Sequence, residues 1–94
     1  MIDTNYVTLE QFPKAHKEWG DKGFERINKL LDDAVHLISV LSKRDDLDYA
    51  GLSEVKSQDN KPVVFINFDN LDRYYVDEKD VKDFKLPKLI KSGL

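Results

Sequence analysis

Between Lys22 and Lys43 the apolar residues Phe24, Ile27, Leu30, Leu31, Ala34, Ile38 and Leu41 recur at spacings of three and four. That is one face of a period of about 3.6 residues and predicts a long amphipathic helix, with Asp21 as its N-cap. On the opposite face Glu25 with Lys29, and Lys29 with Asp33, are opposite charges four apart, each pair adding a few tenths of a kcal/mol to the helix. Val35, Leu37 and Val40 widen the apolar stripe in the last two turns. This end is therefore expected to be covered from two sides, by the N-terminal segment or by a second copy of the chain. In the second case Val35, Leu37, Val40 and Leu41 form a homodimer surface. Upstream, Pro13 suits the first turn of a helix, where its missing N–H is harmless, and Gly20 suits its end. A short helix over 13–20 is predicted, with Tyr6, Leu9, Phe12 and Trp19 as its docking area.

After the charged break KRDDLD the pattern changes to strands. Leu52 to Gln58 reads as a weak strand, Pro62 to Phe68 as the strongest, and Arg73 to Asp77 as the third. Asp59-Asn60 is a turn dipeptide, since both residues tolerate a left-handed backbone. If it is a two-residue loop, Val55 lies opposite Val64 and Glu54 opposite Phe65. For the second hairpin, a three-residue loop puts Tyr75 beside Phe65 and a two-residue loop puts Val76 there; the sequence leaves this register open. Short connections favour an antiparallel meander. Asp77 is positioned to cap a short helix from Glu78 to about Lys85, with Val81 and Phe84 inward, interrupted by Pro87. Leu86, Leu89 and Ile90 are expected to pin the tail, and 92–94 to fray. The expected fold is thus a single α+β domain over 1–94. Short and long N-terminal helices pack on one face of a three-stranded antiparallel meander, and a short C-terminal helical tail closes its end.

The central strand KPVVFINF carries the sharpest functional question. Val64, Ile66 and Phe68 share one face; Val63, Phe65 and Asn67 share the other. The first face is apolar and should receive the long helix. The second is mixed, and the sequence does not say whether it is covered or open. Lys61, Phe65, Ile66 and Phe68 match four of the eight positions in the RNA-recognition-motif signature. Val63, however, stands where a stacking ring is needed, and the helix precedes the sheet. Base stacking also requires neighbouring exposed rings and tolerates few nearby carboxylates. The strand is therefore expected to be the centre of the sheet, and nucleic-acid binding is disfavoured both there and through the spaced tail lysines Lys82, Lys85, Lys88 and Lys91.

Charge changes the picture along the chain. The net charge of −3 conceals ten acidic and four basic residues from Asp45 to Asp80, a balance of −6, followed by four lysines and one aspartate from Val81 on. Folding the tail back would neutralise the middle. There is no cysteine, which removes disulfides and thiolate chemistry and fits a reducing compartment. The N-terminus lacks the basic-then-apolar pattern of a secretory signal, and no apolar run approaches the ~20 residues of a membrane span. A cytoplasmic location is expected.

Two histidines offer little for catalysis. Asp32 and His36 share a helix face but need a further ligand to hold a metal. The run DNLDRYYVDEKDVKD lacks the glycine turn of a calcium loop. No phosphate-binding glycine loop appears. The sequence therefore argues for no enzyme activity, no cofactor and no metal. It points to a small protein-binding module of the inhibitor, immunity or regulatory type. Phe65, Asp69, Asp72, Tyr74, Tyr75 and Asp77 are the candidate contact residues, tyrosine anchoring and carboxylates steering a basic partner.

Overall fold

The computed structural model describes residues 2–93; of the end expected to fray, 92–94, Leu94 lies outside the described residues, whereas Ser92 is held by its N–H on Asp72 Oδ1. In chain order the elements are β1 (Asp3–Thr4), α1 (Pro13–Ser42), β2 (Leu47–Leu52), β3 (Val63–Phe68), β4 (Arg73–Asp77) and α2 (Glu78–Asp83). The α+β architecture with a long helix agrees with the sequence pattern. The sheet does not: it has four strands in the order β1-β2-β3-β4, and β1 runs parallel to β2. A two-residue strand has no periodicity to read. It forms because the outer edge of β2 offers unpaired backbone groups, and Asn5 N–H extends the pairing by donating to the Ala50 carbonyl at 2.8 Å.

The first strand of the expected meander is also displaced. It is Leu47–Leu52 rather than Leu52–Gln58, because a β-bulge between Leu47 and Tyr49 interrupts the alternation. The core positions Leu47, Ala50 and Leu52 are thus spaced three and then two, which hides the strand period. Asp59 and Asn60 do form a left-handed turn, with φ of 54° and 60°. The turn closes only a one-residue bridge, Gln58 with Lys61, inside the β2–β3 connection. Leu52, not Val55, therefore faces Val64, and Gly51, not Glu54, faces Phe65. Val55 is 81% exposed. In the second hairpin Phe65 pairs with Tyr75, the register of a three-residue loop. Phe68 N–H donates to the Asp72 carbonyl, and Leu71 N–H to the Phe68 carbonyl, each at 2.9 Å. Leu71 closes that loop with φ 71°.

The two expected N-terminal helices are one element with a break. Gly20 inside α1 has φ 70° and ψ −178°, a backbone region that is essentially glycine-only. Asp21 is not an N-cap; its Oδ1 meets His16 Nε2 across the break at 2.6 Å. Beyond it, α1 buries Phe24, Ile27, Leu30, Leu31, Ala34, Leu37 and Ile38 against Ala50, Val64, Ile66, Phe68, Tyr74 and Val76 of the sheet. Burying Leu37 here takes it out of the expected homodimer surface. Val35 and Leu41 pack against the same core, and Val40 alone of that set is well exposed. The N-terminal segment supplies the second cover: Val7 is buried, its N–H donates to Asn28 Oδ1 at 2.8 Å, and Asn28 Nδ2 donates back to its carbonyl at 3.2 Å.

At the other end, Asp77 and Asp80 form a reciprocal capping box on α2. Asp80 N–H donates to Asp77 Oδ1 at 2.9 Å and Asp77 N–H to Asp80 Oδ2 at 3.1 Å. Val81 packs on the core, whereas Phe84, expected inward, is exposed because it occupies the left-handed C-cap position. The tail does fold back, but through its backbone. Ile90 and Arg73 exchange two hydrogen bonds of 2.8 Å, adding one residue to the sheet beyond β4. Among the described residues none of Lys85, Lys88 and Lys91 forms an ion pair. No helix among them is long and apolar enough to cross a membrane.

Candidate functional site

Both helices lie on one side of the sheet, since α2 packs beside α1. The opposite face is built by strand alternation from Tyr49 and Gly51 of β2, Val63, Phe65 and Asn67 of β3, and Arg73, Tyr75 and Asp77 of β4. Each ring finds its position from a neighbour. Phe65 reaches over Gly51 of β2 because Gly51 has no side chain; a Cβ there would come within 3.1 Å of the ring. The Phe65 and Tyr49 centroids are 5.8 Å apart. On the other flank the Arg73 guanidinium carbon sits 4.3 Å from the Phe65 centroid and 5.5 Å from that of Tyr75. Arg73 Nε donates to Asn67 Oδ1 at 2.6 Å, and Nη1 donates to the Tyr75 hydroxyl at 3.0 Å. From the β2–β3 loop, Lys56 Nζ reaches to 4.6 Å from the Tyr75 centroid. The face is thus a row of alternating rings and cations, each cation–ring contact contributing roughly 0.5–1 kcal/mol at this exposure. A shallow concavity of about 430 Å³ opens on it, lined by Leu52, Glu54, Val55, Lys56, Phe65, Arg73 and Tyr75 among others.

Of the six contact residues expected from the sequence, this face brings together Phe65 and Tyr75, with Asp77 at its border turned into the α2 cap. Tyr74 points the other way: at 5% exposure it belongs to the core, edge-on to Phe68 at 5.7 Å. Asp69 is exposed at the tip of the second hairpin, where its N–H donates to the Asp46 carbonyl at 2.9 Å. Asp72 is 8% exposed and holds the fold rather than a surface. Tyr49, Lys56 and Arg73 were missed. Tyr49 lay outside the strand assigned from the pattern. Arg73 shares a face with Tyr75 by alternation within the strand Arg73–Asp77, so that alternation is the signal in the sequence that points to it.

Asp72 ties three segments together. Its Oδ1 accepts the Ser92 N–H of the tail at 2.9 Å; its Oδ2 accepts from Arg44 Nη1 at 3.0 Å and Asn70 Nδ2 at 3.1 Å. Arg44 also chelates Asp46 at 2.8 and 2.6 Å and lies 3.8 Å above the Phe68 ring. The Ser92 N–H, then Arg44 and Asn70, draw the Asp72 carboxyl down from 3.8 to about 2. Arg44 likewise lowers Asp46, and its own value is raised by the same bonds. A carboxylate whose pKa falls on folding contributes stability above its unfolded pKa, and that stability is lost as pH drops through the folded value. Urea midpoints of the wild type are therefore expected to fall between about pH 4 and pH 2. Asp72→Asn should be less stable near neutral pH, by a Tm on the order of 5 °C, and should converge on the wild type at the acid end. Parallel pH curves would contradict this role for Asp72.

The pair considered for a metal is separated by its partners: Asp32 accepts from the Tyr6 hydroxyl, and His36 lies 6.2 Å from the Phe84 ring. Among the described residues no three His, Cys, Asp or Glu side chains group as metal ligands. Comparison with models of known families, with curated proteins and with solved structures gives no match.

Proposed function

We propose that the protein is a small protein-binding module of regulatory type and that the helix-free face of its sheet is the contact surface. The observation that carries this is the row Tyr49–Phe65–Arg73–Tyr75–Lys56, with ring and cation spacings of 4.3 to 5.8 Å, beside a concavity of about 430 Å³. Aromatic and arginine side chains held rigid at the centre of a patch lose little entropy on binding and are the residue types that dominate interface energetics. The rim of Glu54 and Asp77 supplies polar contact around them.

The test uses immobilised wild type, a Phe65→Ser/Tyr75→Ser double variant and a Val40→Ser control in native lysate. A partner is expected that wild type and Val40→Ser retain, that the folded double variant loses by at least about tenfold, and that slows amide exchange at Gly51 and Phe65 when bound. Retention of every partner by the double variant, or loss that follows Val40→Ser, would remove this face from consideration. The second outcome would restore the helix end as the contact.

A further inference from the structure

We infer that Arg73 is the receptor for a carboxylate side chain of the partner, so that the proposed face reads a single acidic residue with an apolar neighbour. This rests on the reading of the face as a protein-binding surface, and it reverses the partner charge expected from the acidic composition of the middle of the chain.

The chain has three arginines, and two are satisfied internally: Arg26 pairs with Glu78 at 2.6 and 2.8 Å, and Arg44 with Asp46 and Asp72. Arg73 has no carboxylate within ion-pair distance among the described residues. It is nonetheless held in orientation by its neighbours on the face. Its guanidinium carbon lies 4.3 Å from the Phe65 centroid, and its bonds to the Asn67 and Tyr75 oxygens fix its orientation over that ring. Those two bonds use Nε–H and one hydrogen of Nη1. Both hydrogens of Nη2 and the second of Nη1 remain for an incoming acceptor. A guanidinium fork held this way matches the two oxygens of a carboxylate, and its ordering cost is already met by the fold. Lys56, which forms no ion pair among the described residues, adds a second positive charge beside the same concavity.

The surroundings select the source of the anion. Glu54 lines the concavity, and Asp3 and Asp77 lie on or beside the face through their pairing with Tyr49 and Val63. Two cations among three carboxylates do not suit a nucleic-acid backbone, which needs a track of unopposed positive charge. A single carboxylate needs only the one fork. Leu52 and the largely exposed Val55 line the same concavity and give an apolar neighbour of that carboxylate a place to pack.

The experiment titrates the protein with four probes: alternating Glu/Leu, Gln/Leu and Lys/Leu hexapeptides and an eight-nucleotide oligothymidylate. Fluorescence anisotropy gives affinity, and the Arg73 Nε–H resonance reports the site. The Glu/Leu peptide is expected to bind best and to shift that resonance. Arg73→Gln should weaken it by about tenfold, and Arg73→Lys, which keeps the charge but loses the planar fork, by nearly as much. Tyr75→Phe, which keeps the ring and releases Nη1, should weaken it by roughly threefold. Preference for the Gln/Leu or Lys/Leu peptide or the oligothymidylate, no binding by the Glu/Leu peptide, or full recovery by Arg73→Lys would overturn the assignment. The broader reading of the face falls separately, on the Phe65/Tyr75 dependence of a captured partner.

Discussion

Phe68→Ala is expected to remove about 3–5 kcal/mol of folding stability, the largest single-residue effect in this fold. The ring is fully buried, with Arg44 3.8 Å above one face and Tyr74 5.7 Å away against its edge. Alanine deletes that ring and leaves the Arg44 guanidinium over a cavity too apolar to hydrate well. A domain of this length has about 5–15 kcal/mol in total, so the variant should sit near its unfolding threshold. The measurement is a urea transition: a midpoint shift at unchanged slope reports the loss directly. Phe68→Leu, which keeps most of the volume, should cost less than half as much. A loss below about 1 kcal/mol for alanine would show that the ring is not the keystone of the contact between the helix end and the second hairpin.

Gly20→Ala is expected to cost about 1–3 kcal/mol and to change the shape of the helix. A Cβ at Gly20 meets nothing within 4 Å, so the cost has no steric component from neighbours. It arises from the backbone alone, which is held at φ 70° and ψ −178°. Alanine relaxes by adopting helical angles, and its helix propensity exceeds that of glycine by about 1 kcal/mol. A straight α1 then competes with the broken one. Straightening lifts Ala15 and Trp19 from their place beside Leu52 and Ser57 and parts His16 from Asp21. The only tryptophan in the chain is Trp19, so its emission reports this motion without labelling. A lower Tm together with red-shifted emission is expected. Unchanged emission at lower Tm would mean that alanine is simply strained in place, and no change in either would mean that the break is not imposed by this residue.

These two positions show what kind of information the chain carries. Phe68 was legible as a core residue because Val64, Ile66 and Phe68 alternate, and Gly20 was legible as the end of a helical run. That the run resumes at once, in another direction, goes with His16 meeting Asp21 across the break and Trp19 packing on the core, which the spacing of apolar residues does not encode.

Local physics in the sequence by itself determined the amphipathic face of α1, the alternation of β3, the left-handed turn at Asp59-Asn60 and the cap at Asp77, since each depends on residues a few positions apart. Tertiary structure alone decided the rest. It recruited Asp3–Thr4 as a parallel edge strand, moved β2 to Leu47–Leu52 around a bulge, and set Phe65 opposite Gly51 and Tyr75. Those pairings are chosen by backbone hydrogen bonds between distant segments, and a shift of one residue moves every side chain to the other face. The same choice turned Tyr74 and Asp72 inward and left Arg73 outward, and so it settled which residues the candidate surface contains.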